Sequence, residues 1–203
     1  MIFIFYTANM NKDLVIKEII SNSFESNTYV IINGDTAIIF DAGAKVEDVN
    51  KVLGDAIPKA LFITHSHFDH ILYIDDYVNK YNIPVYISSF GIDRLYNENL
   101  NLSASILGKS IKVGNDAELI AVEDNISIGG VYIKCISTPG HSDCSTTYVV
   151  GDYAIVGDVL FENGIGRYDL FDGDYGKLFN SIKTIKRLDI KRCFPGHGNS
   201  FEK

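Results

Sequence analysis

Short apolar blocks, alternating or continuous, run along most of this chain, and turn-forming residues separate them. Leu14–Ile20, residues 28–32 and Thr36–Phe40 are rich in β-branched side chains and predict three strands, with Asn33-Gly34-Asp35 as a hairpin turn. That ladder ends at Asp41-Ala42-Gly43, and Val46–Leu53 then takes up helical spacing. Residues 59–64 predict a short buried strand that runs straight into His65. A helix is expected over residues 71–81 and a strand over 84–87. Residues 88–113 read as helix plus loop, a place for a lid or a substrate-shaping insertion. Further strands are expected over 118–122, Val131–Ser137, Thr146–Val150 and 153–156. A helix follows over 175–188, with Leu178, Ile182 and Ile185 on its apolar face, and a last strand over 190–194. Two βββα-like halves, each ending its strands in candidate metal ligands, predict an α/β (α+β) fold, a four-layer αββα sandwich.

Composition narrows the class. A chain of 203 residues is within reach of one domain with a sizeable core, and 1–203 reads as a single domain. With 46% hydrophobic and 22% charged residues it is globular in character. A net charge of −8 disfavours nucleic acid or an anionic membrane as the main partner. Cys135, Cys144 and Cys193 are odd in number and lack CxxC spacing, so they read as reduced thiols in a cytoplasmic protein. The apolar start, Met1-Ile2-Phe3-Ile4-Phe5-Tyr6, is too short to span a bilayer and lacks a basic n-region. Met10 opens a more usual start, so residues 1–9 read as a poorly ordered extension.

The histidines carry the chemistry. Three stand in His65-Ser66-His67-Phe68-Asp69-His70, and the others end the turns Thr138-Pro139-Gly140-His141 and Pro195-Gly196-His197. Residues two apart on extended backbone point the same way, so His65 and His67 can converge on one ion. Asp69 and His70, where the chain enters the next helix, can address a neighbouring position. His141 and His197 can each complete one set, and Asp158 in Gly157-Asp158-Val159-Leu160-Phe161 can bridge both. Imidazole nitrogen and carboxylate oxygen suit zinc or a similar first-row metal. Two such ions lower the pKa of a bound water toward about 7 and polarise the carbonyl or phosphoryl group under attack.

HSHFDH followed by TPGH, GDVLF and PGHG resembles the metallo-β-lactamase superfamily over nearly the whole chain. The resemblance implies that His65, His67 and His141 hold a first divalent metal ion. It implies that Asp69, His70 and His197 hold a second, with Asp158 between them; zinc is expected, with iron or manganese as alternatives. Asp69 and Asp158 are the catalytic candidates. His70 after Asp69 resembles the glyoxalase II and ribonuclease Z branches. Gly157-Asp158-Val159-Leu160-Phe161 and Gly164-Ile165-Gly166-Arg167-Tyr168-Asp169-Leu170 look most like small glyoxalase II-like hydrolases. By that likeness Arg167 is a candidate for substrate-anion binding and Tyr168 for a hydrogen bond to a substrate oxygen. The alternative for Arg167 is an internal pair with Asp169.

Two departures flank the ligands. Ile71-Leu72 follow the DH pair where the family favours small residues, and Ser142-Asp143-Cys144 replace its common Thr-Pro-Gly after His141. The chain ends at Lys203, without the C-terminal helical domain of full-length glyoxalase II, which puts glutathione specificity in doubt. The expected function is a dinuclear metal-dependent hydrolase of thioesters or related small esters, acting through metal-bound hydroxide on a small-molecule substrate. A mononuclear iron persulfide dioxygenase using His65, His141 and Asp158 is the alternative. A ribonuclease Z-like nuclease is disfavoured by the acidic charge and by the lack of a tRNA-gripping insertion. Cys144 reads as a buried inert thiol, Asp75-Asp76 as a solvated face, and Asp172-Gly173-Asp174 as a turn and helix N-cap.

Overall fold

A computed structural model of the protein describes residues 3–7, 14–114, 116–122 and 124–203. The first half forms β1 (Phe3–Thr7), β2 (Leu14–Ile20), β3 (Asn27–Asn33), β4 (Thr36–Phe40), α1 (Val46–Leu53), β5 (Ile57–Phe62), α2 (Phe68–Ile71), α3 (Ile74–Tyr81) and β6 (Val85–Ser88). A 3₁₀ turn (Ser89–Gly91), α4 (Ile92–Leu95), α5 (Ser103–Leu107) and β7 (Leu119–Val122) follow. The second half comprises β8 (Ile126–Ile128), β9 (Val131–Ser137), β10 (Thr146–Val150) and β11 (Tyr153–Gly157). It ends with β12 (Leu160–Phe161), β13 (Gly164–Ile165), α6 (Tyr175–Arg187), β14 (Arg192–Pro195) and β15 (Phe201–Glu202).

Strands β1 to β7 lie in sequence order in one sheet, and a second sheet runs β15-β14-β11-β10-β9-β8. Side-chain alternation builds the layers. In β3 and β4, Tyr29, Ile31, Ile38 and Phe40 point between the sheets, where they meet Tyr148, Ile155 and Phe194. Val30, Ala37 and Ile39 point the other way, onto Val49 and Val52 of α1 and Ile74 and Tyr77 of α3. Burial on both faces is why Thr36–Phe40 reads as a continuous apolar run. On the far side, Ala154, Val156 and Cys193 pack against Leu178, Ile182 and Ile185 of α6. The result is the expected αββα sandwich.

Several elements differ from the sequence expectation. Within the segment read as a poorly ordered extension, residues 3–7 are an edge strand, paired antiparallel to β2 from Phe3↔Ile19 to Thr7↔Val15. Met1 and Met10, the two candidate starts, lie outside the described residues. The helix expected over 71–81 is broken into α2 and α3, because the backbone at the break bonds elsewhere. The His70 carbonyl accepts from Ala42 N at 2.7 Å, and Tyr73 N donates to the Ala42 carbonyl at 3.0 Å. Strand β8 and the β12–β13 hairpin were not expected. The two-glycine turn Gly129-Gly130, at φ +54° and +77°, was the available signal for the β8–β9 hairpin. No helix among the described residues is long and apolar enough to cross a membrane.

Candidate metal centre

Parallel pairing of β4 with β5 sets Phe40 beside Phe62, so both strands end at one edge. Asp41 leaves β4 there at φ +60°, a left-handed conformation that a short polar side chain tolerates. Its buried carboxylate accepts from Thr64 N at 2.7 Å, from Thr64 Oγ1 at 2.8 Å and from His70 Nδ1 at 2.9 Å. The turn into HSHFDH is thus pinned by a residue from the neighbouring strand.

The Nδ1 contacts decide the imidazole tautomers. A carboxylate can only accept, so His70 carries its proton on Nδ1. Thr64 Oγ1 spends its hydrogen on Asp41, so it accepts from His65 Nδ1 at 3.0 Å. His141 Nδ1 donates to the Arg167 carbonyl at 2.9 Å, and His197 Nδ1 to the Glu25 carbonyl at 3.1 Å. In the neutral form of each of these four rings Nε2 is the unprotonated nitrogen, the one a metal ligand offers. His67 is turned the other way, and its Nδ1 lies 2.9 Å from His141 Nε2.

Ligand-type atoms of His65, His67 and His141 all lie within 4.8 Å of one another, and so do those of Asp69, His70 and His197. Asp158 Oδ2 is 3.6 Å from His141 Nε2 and 3.7 Å from His197 Nε2, while its Oδ1 is 3.6 Å from His70 Nε2. Asp69 Oδ2 stands 3.0 Å from His197 Nε2 and 3.6 Å from His70 Nε2. Ligand atoms around a tetrahedral ion bound at ~2.0–2.1 Å stand roughly 3.3 Å apart. The observed separations bracket that value.

Burial sharpens the fit. His65 Nε2, His70 Nε2 and Asp158 Oδ1 are buried without a hydrogen-bond partner, which is costly unless a cation satisfies them. The two triads differ electrostatically. Burial, reinforced by neighbouring imidazoles, drives His65 well below its ordinary pKa and His67 down to about 3, so both are neutral and ready to coordinate. Burial opposes charge on His70 too, but Asp69, Asp41 and Asp158 outweigh it and raise the imidazole to about 10. His197 is likewise raised against burial, chiefly by its bond to Asp69. Asp69, despite burial, is held well below the usual carboxylate range by His70 and His197. Gly196 keeps this space open, since a Cβ there would stand 2.0 Å from Asp158 Oδ1 and 2.7 Å from His70 Cε1.

All seven sequence-predicted metal residues thus converge. The two substrate candidates sit at the rim. Arg167 is exposed, with Nε 3.0 Å from Asp169 Oδ1 and Nη2 3.0 Å from Oδ2, the internal pair that was the alternative reading. Tyr168 is half-exposed, its ring edge-on to Tyr175 at 5.0 Å. Ile71 is buried among the residues between the first sheet and its helices. Cys144 is fully buried, its Sγ 3.1 Å from Ser142 Oγ and 3.4 Å from Ser66 Oγ, and burial raises its thiol pKa. A cavity of about 460 Å³ opens beside His197, between Phe161–Gly164 and Gly198–Asn199. Asp41 and Thr64 were missed from sequence. Their signal was an acidic residue ending the strand next to the one that feeds His65.

Comparison with known proteins identifies the family. The Probable metallo-hydrolase YqgX of Bacillus subtilis (strain 168) is 34% identical over 180 residues, covering 86% of this chain and 85% of its own. The crystal structure of BLEG-1 B3 metallo-beta-lactamase superposes with a TM-score of 0.86 at 33% identity, covering 92% of this chain and 93% of that one. TTHA1623, solved in a di-iron-bound form, gives 0.79 at 27% identity over 91% and 93%. The sequence profile of the Metallo-beta-lactamase superfamily matches residues 22–197, and the chain belongs to that superfamily.

Proposed function

We propose that the protein is a dinuclear metal-dependent hydrolase of thioesters or related small esters, in the manner of the small glyoxalase II-like enzymes. The placement of Asp158 carries this reading, with one carboxylate within 3.7 Å of imidazoles from both triads. His65, His67 and His141 would hold one ion, and Asp69, His70 and His197 the other. Two divalent ions there supply a Lewis acid for the carbonyl and a water acidic enough to react near pH 7. The chain's own part is to fix the ligands. The Nδ1 hydrogen bonds hold four imidazoles in one tautomer, and Asp41 orients His70 directly and His65 through Thr64. The cavity beside His197 is sized for a small acyl or thiol group. Arg167 would meet an anionic end of the substrate by exchanging Asp169 for it, and Tyr168 would stand alongside. A probable metallo-hydrolase among the relatives supports the reaction class. The di-iron form of TTHA1623 makes iron a real alternative to zinc.

The test is elemental analysis of the purified protein, paired with thioester-hydrolysis and persulfide-oxidation assays. Two ions per chain and thioesterase activity are expected; one iron and persulfide oxidation would replace this reading with the dioxygenase. Asp158→Ala should lose at least one ion and nearly all hydrolysis, and full retention of both would sink the two-metal mechanism. Arg167→Ala should mainly raise KM for anionic substrates, with kcat little changed.

A further inference from the structure

Residues 88–113, where the sequence suggested a lid, are tied to the metal-ligand loops at two points. The first is a backbone bond from Phe68 N, between His67 and Asp69, to the Asn101 carbonyl at 3.0 Å. The second is Arg94 of α4, buried at 8% exposure. Its Nη2 lies 2.8 Å from Asp143 Oδ2, its Nη1 3.0 Å from Asp172 Oδ2, and its Nε donates to the Phe90 carbonyl at 3.1 Å. Asp143 stands two residues after His141, and Asp172 lies in the loop whose Arg167 carbonyl holds His141 Nδ1. Asp172 in turn accepts from Ser142 Oγ at 2.7 Å and Asp143 N at 2.9 Å.

A buried guanidinium is costly unless paired, and removing it would leave the Asp143 and Asp172 carboxylates against each other with no neutralising charge. The planar fork of arginine spans both; a lysine ammonium is a single point. The second triad is held by other means. Asp41 fixes His70, the Glu25 carbonyl fixes His197, and Ser26 Oγ donates to the Asp69 carbonyl at 2.9 Å.

We propose that Arg94 is a positioning residue for the His65/His67/His141 half of the metal centre, setting His141 by bridging Asp143 and Asp172. The inference rests on the two-metal reading, and the test separates the two. Metal-stripped wild type, Arg94→Met and Arg94→Lys are titrated with cobalt(II), followed by visible absorption and by the hyperfine-shifted histidine N–H resonances. Wild type should take up two ions; uptake of one would overturn the dinuclear reading and this inference with it. Given two in wild type, Arg94→Met should weaken the three-histidine position by about 10- to 100-fold, the range for partners that orient ligands, and leave the other position unchanged. Arg94→Lys, which keeps the charge but not the fork, should fall between, and it carries the test if Arg94→Met does not fold. Wild-type affinity at both positions, or equal weakening of both, would overturn the role of Arg94 alone.

Discussion

At four of the five imidazoles the nitrogen that faces the centre is decided by what the other nitrogen touches. A carboxylate, a threonine hydroxyl and two backbone carbonyls do this for His70, His65, His141 and His197. Elsewhere a single buried acid makes stability depend on pH. Glu18 on β2 is almost fully buried, and burial pushes its carboxyl up to about 7, against the pull of Tyr29 and Arg192. Its ordinary value is 4.5, so the folded state holds the proton more tightly than the unfolded chain. Stability from this group is therefore complete below about pH 4.5, falls as pH rises to about 7, and is level above that. The loss is on the order of 3 kcal/mol. Urea unfolding at pH 5 and pH 8 should show that fall in wild type and a smaller one in Glu18→Gln; equal slopes would reject it. The seven candidate ligands were legible because residue type and spacing are local properties. Asp41, Arg94 and Asp172 were not, because their roles come from pairing across strands and loops distant in sequence.

Elements with strong periodicity were legible to the residue. Thr36–Phe40, Val46–Leu53, Val131–Ser137 and Thr146–Val150 form as the pattern predicts. The expectation failed where a long-range bond competes with the local one, as at His70, whose carbonyl serves Ala42 instead of continuing the helix. It also failed where a side chain does more than face solvent. Asp75 was read as part of a solvated face, yet its carboxylate accepts from Gly114 N at 2.8 and 3.0 Å and so anchors the chain end that leads to β7. Asp76 is exposed, as expected. Asp75→Ala should cost about 1–2 kcal/mol through the unsatisfied amide. Metal content should stay intact, and a thermal melt with elemental analysis checks both.

Across the whole molecule, the sandwich brings strand ends from both sheets to one rim, and the candidate ligands come from both halves of the chain. His65, His67, Asp69 and His70 leave the first sheet, while His141, Asp158 and His197 leave the second. The layers themselves followed from the order of strands and helices along the chain. How the two halves are joined at the rim was not, because no local pattern encodes it.

That joining has a consequence for how the protein comes apart. On the proposed ligand set, an ion held by His65 and His141, or by Asp69 and His197, would act as a non-covalent staple between sheets, closing a loop that spans much of the chain. Such a closure stabilises chiefly by limiting the entropy of the opened chain, as a long-range disulfide does. A chelator should therefore do more than silence the site. It should lower the melting temperature by several degrees and open the β9–β10 side to proteolysis, and restoring the metal should reverse both. Unchanged melting after complete metal removal would mean that the sheets hold each other without the staple.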